Sequence, residues 1–315
     1  MTAPLPDLCI VVPLFNEEAV LPELIRRLTA VMDQNLTAQW TVIFVNDGSR
    51  DLTGVIATAA HAQDRRFRLV QFSRNFGHQP ALTAGLQHAS FADAVITMDA
   101  DLQDPPEVIP ELVAAWRLGA EVVLAVRRSR EDRGLRRLGF DTFHRLFGMV
   151  TDFPVRRNTG TFGLLARPAV AAFNQLGEAH RFFPGLRAWV GFTSAEVVYD
   201  RKLRVAGEPT QNLRRLIHYA LDGVFSFSHL PLRLLTYAGL LIASGGFAVG
   251  VFFAMRRLLG QEIAFTGFTT LVVLLLFIGG VQLIGIGVLG EYMGRIYDEV
   301  KRRPNFVVKN KVGFE

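Results

Sequence analysis

The chain has 315 residues, half of them hydrophobic, with a mean hydropathy of +0.25, a net charge of +5 and a pI near 9.7. That length supports a sizeable core in one or two domains, and the single cysteine, Cys9, excludes an intramolecular disulfide framework or a cysteine-rich metal site. The start of the chain, Met1 to Leu8, has no basic n-region, apolar stretch or small-residue cleavage site, so no secretory signal is read there.

From the N-terminus, short apolar or β-branched runs alternate with longer segments of helical spacing. Leu8–Val12, Thr41–Val45, Arg68–Phe72, Ala94–Met98 and Val122–Val126 read as strands. Leu21, Leu24, Ile25, Leu28 and Val31 exemplify the helical spacing between them. Alternation of this kind predicts an α/β domain with a mainly parallel sheet covered by helices. In such sheets ligands bind beyond the carboxyl ends of the strands, so the residues that follow each strand carry the functional signal.

Strand one runs into Pro13-Leu14-Phe15-Asn16-Glu17-Glu18, and strand two into Asn46-Asp47-Gly48-Ser49. Asp47 has two readings, a hydrogen-bond acceptor for a base or ribose and an Asx-turn residue closing Asn46–Ser49. Strand four runs into Asp99-Ala100-Asp101-Leu102-Gln103-Asp104, and Pro105-Pro106 suits the first turn of a helix. Asp99 and Asp101, with Gln103 as a further oxygen donor, form a candidate site for Mg²⁺ or Mn²⁺, since Mg²⁺ is typically held by one or two carboxylates plus phosphate oxygens. Strand five runs into Arg127 and Arg128, followed by Arg130, Arg133, Arg136 and Arg137. Their planar forks suit a phosphate-bearing acceptor, and Arg127, Arg128 and Arg136 are the expected contacts.

From 212 to 231 the pattern is amphipathic, which reads either as interfacial helix on lipid headgroups or as an ordinary domain helix. Leu234 to Ala254 and Ile263 to Gly290 then contain no charged residue. Each run is long enough to cross a hydrocarbon core of about 30 Å. Gly285-Ile286-Gly287-Val288-Leu289-Gly290 matches a dinucleotide fingerprint but lies inside such a run, where helix packing is the better reading, as for Gly246 and Gly250. The tail carries Arg295, Lys301, Arg302, Arg303, Lys309 and Lys311. The positive-inside rule puts this tail, and with it the N-terminal domain, in the cytoplasm; Arg256 and Arg257 in the connecting loop argue the other way. The expected organisation is a catalytic domain over 1–211, interfacial helices over 212–231, two membrane helices over 232–291 and a basic tail over 292–315. Anionic lipid headgroups, rather than nucleic acid, account for the basic charge.

Pro-Leu-Phe-Asn-Glu-Glu, Val-Asn-Asp-Gly-Ser, Ser73-Arg74-Asn75-Phe76-Gly77 and Asp-Ala-Asp-Leu-Gln-Asp-Pro-Pro-Glu together resemble the inverting family-two glycosyltransferases, and within them the polyprenyl-phosphate branch. Arg187-Ala188-Trp189-Val190-Gly191-Phe192 and Leu289-Gly290-Glu291-Tyr292 agree with it, so the resemblance covers nearly the whole chain. It implies the glycosyltransferase-A fold, a nucleotide diphosphate-sugar donor (UDP-glucose is the first expectation), a polyprenyl phosphate acceptor, a bacterial inner-membrane location and a homotetramer. It also implies donor contacts at Pro13, Phe15, Glu17, Val45 and Asp47, metal and diphosphate contacts at Asp99, Ala100, Asp101 and Gln103, and phosphate contacts at Arg127 and Arg204. Catalytic roles fall on Asp101, Arg127 and Thr161.

Three positions depart from the resembling pattern. Gly160-Thr161-Phe162-Gly163 stands where Gly-Asp-Phe-Arg is usual, and Thr210 stands where a lysine follows Arg204 and Gly207. A phosphate monoester has a second pKa near 6, is mostly dianionic at neutral pH, and attacks without a general base, so Thr161 is compatible with turnover. The rival expectations are a non-catalytic membrane scaffold, which these departures motivate, and a processive polysaccharide synthase, which calls for more membrane spans.

Overall fold

The computed structural model describes residues 5–36, 38–128, 159–200, 230–259 and 268–314. Its strands are β1 (Asp7–Leu14), β2 (Gln39–Asn46), β3 (Phe67–Phe72), β4 (Ala94–Thr97), β5 (Val122–Arg127), β6 (Thr159–Ala166), β7 (Ser194–Tyr199) and β8 (Val308–Val312). Its helices are α1 (Leu21–Asn35), α2 (Thr53–Gln63), α3 (His78–His88), α4 (Ile109–Arg117), α5 (Arg167–Gln175), α6 (Phe183–Trp189), α7 (Leu230–Leu258) and α8 (Phe268–Lys301). The five predicted strands are β1 to β5, each within two residues of the expected bounds. Pro106 opens a single 3-10 turn, Pro106–Val108, that leads into α4.

The strands form one sheet in the order β7-β5-β6-β4-β1-β2-β3-β8. The pairs β4-β1, β1-β2, β2-β3 and β5-β7 are parallel, while β6 runs antiparallel to both β4 and β5 and β8 antiparallel to β3. Period-two alternation divides β1 between two cores. Leu8, Ile10 and Val12 pack with Leu21, Leu24 and Leu28 of α1 on one face, whereas Cys9 and Val11 pack with Ala81 and Leu82 of α3 on the other. A strand apolar on both faces is the mark of a parallel interior strand. Full burial of one such leucine contributes about 1.5–3 kcal/mol, which makes β1 a rigid support for the loops that follow it and its neighbours. The Cys9 thiol is buried there, and burial pushes its pKa far up, so it is inert packing.

Helices α7 and α8 include two apolar stretches, Leu230–Phe252 and Val273–Lys301, whose most apolar 18-residue windows have mean hydropathies of 1.8 and 2.4. Among the described residues the most apolar part of neither is buried; at about 1.5 Å per residue, 23 residues span roughly 34 Å, against a hydrocarbon core of about 30 Å. A Cβ at Gly285 would stand 3.8 Å from Leu235 Cδ2 of α7, consistent with the packing read from the sequence. Gly246 and Gly250 do not follow that reading, because a Cβ at either would meet nothing within 4 Å among the described residues. The amphipathic 212–231 segment lies almost wholly outside the described residues, which resume at Leu230.

From the last turn of α8 onward the chain returns to the domain. Glu299 Oε1 accepts from the Ala179 amide at 2.7 Å, His180 Nε2 meets Asp298 Oδ2 at 3.1 Å, and Asn305 Nδ2 donates to the Glu178 carbonyl at 3.2 Å. Phe306 stacks on Phe72 at 5.0 Å, and β8 then pairs with β3 from Leu69↔Val312 to Phe72↔Val308. Residues read from sequence as a basic tail therefore supply the last strand of the sheet.

Candidate active site

The loops after β1 and β2 are stitched to each other. Asn16, at φ 56°, donates its amide to Ser49 Oγ (3.0 Å) and accepts from the Arg50 amide at Oδ1 (2.9 Å). The Glu17 amide donates to Thr53 Oγ1 at 2.8 Å, and Glu18 Oε2 accepts from the Leu52 amide. Asn46 Oδ1 takes the Ser49 amide at 2.9 Å, so Asn46 makes the turn that one reading assigned to Asp47. Gly48 is obligatory: at φ 69°, a Cβ would fall 2.5 Å from the Arg74 carbonyl carbon.

Asp47 instead binds the third loop. Its Oδ1 accepts the Phe76 amide at 2.6 Å and its Oδ2 the Gly77 amide at 2.8 Å. Burial raises its pKa, and the two amides only partly oppose that. Asp47 thereby places the start of α3, whose first residue, His78, reaches the fourth loop.

There His78 Nε2 meets Asp99 Oδ1 at 2.9 Å, and Thr161 Oγ1 donates to the same oxygen at 3.1 Å from β6. Burial would raise the Asp99 carboxyl, but His78, Thr161 and the charge of Arg127 outweigh it and hold it below the ordinary value. Burial pulls His78 down, but Asp99, with Asp47 and Asp101 behind it, leaves it raised. Asp101 Oδ1 takes the Gln103 amide at 3.1 Å across Leu102, which sits at φ 58° with its side chain buried in the core. A left-handed leucine is strained and persists only where packing dictates it, and here it turns Asp101 toward the cleft.

The cleft measures about 260 Å³. Pro13, Phe15, Glu17, Asp47, Asp99, Ala100 and Asp101 line it, all expected contacts, joined by Asn75, Gly77 and His78. Val45 is not among the residues that line it: its side chain is wholly buried in the core with Val11 and Val70. Gln103 is half-buried and lies outside the lining. Arg127 is engaged inward, Nε donating to Tyr199 Oη at 3.1 Å and Nη2 lying 3.7 Å from Asp104 Oδ1, which Tyr199 also reaches. Arg128 pairs at the surface with Asp200 at 3.1 Å. Arg136, Arg204, Gly207 and Thr210, with Arg130, Arg133 and Arg137, lie outside the described residues.

His78, Asn75 and Asn46 were missed by sequence reasoning. His78 directly follows the Ser73–Gly77 motif and opens a helix after a glycine at φ 103°. That position was the available signal; the pairing with Asp99, 21 residues on, was not.

Residues 9–171 match the profile of the family described as glycosyl transferase family 2. The chain belongs to that family. The transferase is 43% identical to the uncharacterized glycosyltransferase sll0501 of Synechocystis sp. over 98% of this chain and 96% of that one. It is 43% identical to the bactoprenol glucosyl transferase of Shigella phage SfV over 96% of this chain and 98% of that one, and 40% identical to the prophage bactoprenol glucosyl transferase homolog of Escherichia coli over 95% and 97%. Among solved structures, mannosyltransferase PcManGT from Pyrobaculum calidifontis, in complex with GDP-Man and Mn²⁺, aligns over 96% of this chain and 88% of that one, with a TM-score of 0.46 and 16% identity. The transferase has the glycosyltransferase-A fold, its cleft at the carboxyl ends of β1, β2 and β4.

Proposed function

We propose that this glycosyltransferase moves a single sugar, with inversion, from a nucleotide diphosphate-sugar to a polyprenyl phosphate at the cytoplasmic face of the bacterial inner membrane, with UDP-glucose as donor. The observation that carries the reading is the likeness to bactoprenol glucosyl transferases, which runs through both apolar helices and not only the catalytic domain.

The cleft residues divide the work. Asp47 and the interlocked first two loops form the floor on which base and ribose would rest. Asp99 and Asp101 would hold Mg²⁺ or Mn²⁺ by two carboxylates, the remaining positions falling to diphosphate oxygens. Mg²⁺ in particular is commonly held by one or two carboxylates with phosphate oxygens completing its shell. When bound, the cation offsets the charge of the departing diphosphate. His78 and Thr161 orient the Asp99 carboxylate through its Oδ1. Neither needs to accept a proton, because the acceptor is already ionised at neutral pH, and positioning with charge stabilisation supplies the acceleration. Strand β8 supports the topology: since it pairs with β3, the C-terminus and the catalytic domain share one side of any bilayer that α7 and α8 cross.

The test is purified full-length protein with undecaprenyl phosphate and a panel of radiolabelled nucleotide sugars. Labelled lipid from UDP-glucose is expected. Labelled lipid from a different sugar replaces the donor assignment; none from any donor leaves the scaffold reading. Light scattering on the same sample tests the tetramer.

A further inference from the structure

Arg187 is a buried charge that the donor cleft leaves unused. It projects from α6 and is 4% exposed. Its Nη2 donates to the Gly160 carbonyl at 3.2 Å and its guanidinium lies over the Phe183 ring at 5.3 Å. Nη1 has no hydrogen-bond acceptor and no carboxylate pairs with the group among the described residues. Burial alone lowers its pKa, to about 10, so it keeps its charge at neutral pH. A cation withdrawn from water without a counter-charge is destabilising, and an arginine held in this way is completed by an anion.

Its place in the fold says which one. Thr161 and Gly163 share a face of β6 by strand alternation, while Phe162 points into the opposite core. A Cβ at Gly163 would stand 3.1 Å from Arg187 Nη1 and 2.5 Å from the Val123 carbonyl oxygen, so the bare glycine makes room for the guanidinium. Across the sheet the order is β6, β4, β1, β2. Arg187 is therefore on the far side of Asp99 from Asp47. With nucleotide at Asp47 and diphosphate at Asp99, inversion requires the attacking group to enter from the side opposite the leaving group, which is the β6 side.

We propose that Arg187 is the acceptor-side cation, its unspent Nη1 donor binding the phosphate of the lipid acceptor. The identity of that anion rests on the transferase reading; the place for an anion is inferred from the unpartnered Nη1, which is itself buried, so the phosphate has to displace what covers it. Arg127 flanks the same strand end, since a Cβ at Gly160 would stand 2.7 Å from its Nη2.

The test uses full-length protein in detergent, with wild type, Arg187→Met and Arg187→Lys compared by three readouts. These are the unfolding midpoint with and without dodecyl phosphate, UDP binding with Mn²⁺, and KM for undecaprenyl phosphate. Arg187→Met is expected to unfold no lower than wild type without ligand, to bind UDP within about twofold, to lose the dodecyl phosphate shift, and to raise KM by about tenfold or more. Arg187→Lys, lacking the planar fork, is expected to fall between. A methionine variant with the wild-type phosphate shift and KM overturns the proposal. So does a lower ligand-free midpoint that lysine restores while the phosphate response never changes, which would make Arg187 a packing residue. Should the methionine variant not fold, a lysine variant with wild-type dodecyl phosphate affinity overturns it equally. Loss of the phosphate shift in a protein that transfers no sugar would uphold the anion site and sink the transferase reading. Normal transfer with a phosphate shift independent of Arg187 would do the reverse.

Discussion

Asp99 is held at one oxygen by both His78 and Thr161, and this fixes what nearby substitutions do. Asp99→Asn and Asp101→Ala should each lower kcat by on the order of a hundredfold or more while leaving the fold intact, since both sit on a ligand loop. An Asp101→Ala enzyme with wild-type turnover across Mg²⁺ and Mn²⁺ titrations removes the metal assignment. His78→Ala should weaken metal-supported nucleotide binding by roughly 10–100-fold, the usual effect of removing a partner that orients a ligand; calorimetry with UDP and Mn²⁺ measures it. Thr161→Val deletes one hydrogen bond of about 0.5–1.5 kcal/mol net, so it should cost no more than about tenfold. A thousandfold loss with donor binding unchanged would mean that Thr161 does essential chemistry. The pH profile has a defined sign as well. Asp99 is held below the ordinary carboxylate range and stays ionised throughout, so activity should rise through the acceptor's second ionisation near 6 and then level off.

Among the elements, legibility followed local pattern. β1, β2 and β4 announce themselves because both faces are buried, and the loops after them because their polar residues sit where a parallel sheet exposes its ends. β6 hid behind Gly160 and Gly163, which lower strand propensity yet are required by the guanidiniums of Arg127 and Arg187 against them. β8 hid because Lys309 and Lys311 read as headgroup-facing charge, whereas lysines on an edge strand guard an open sheet margin. Contacts such as His78 with Asp99 depend on how far apart β3 and β4 lie in space, which no window of sequence encodes. One ion-pair cluster gives a stability test. Arg66 bonds both Asp33 and Asp64, and its hydrogen bonds hold both carboxyls below their ordinary value. A depressed folded pKa contributes stability that is present above the unfolded value and lost as pH falls through the folded one. Thermal melts between about pH 5 and 2.5 should therefore show a shallower acid decline for Asp64→Asn than for wild type, and an unchanged slope would refute the assignment.

Taken whole, the molecule ties the end of its second apolar helix back to its catalytic sheet through Asp298, Glu299, Phe306 and β8. Reporter fusions at Gln261 and at the C-terminus should report opposite sides of the membrane, with the C-terminus cytoplasmic; equal signals would contradict two crossings. Phe306→Ala should lower stability by about 1–3 kcal/mol, because it removes the ring stacked on Phe72, and guanidinium titration of the detergent-solubilised protein reads this. The position of β8 also sets an order of events during synthesis. A ribosome delivers β3 early and β8 last, with α7 and α8 between them. The nascent catalytic domain thus waits with the margin of β3 unsealed until the segment that holds both apolar helices has been made, so the sheet is completed last.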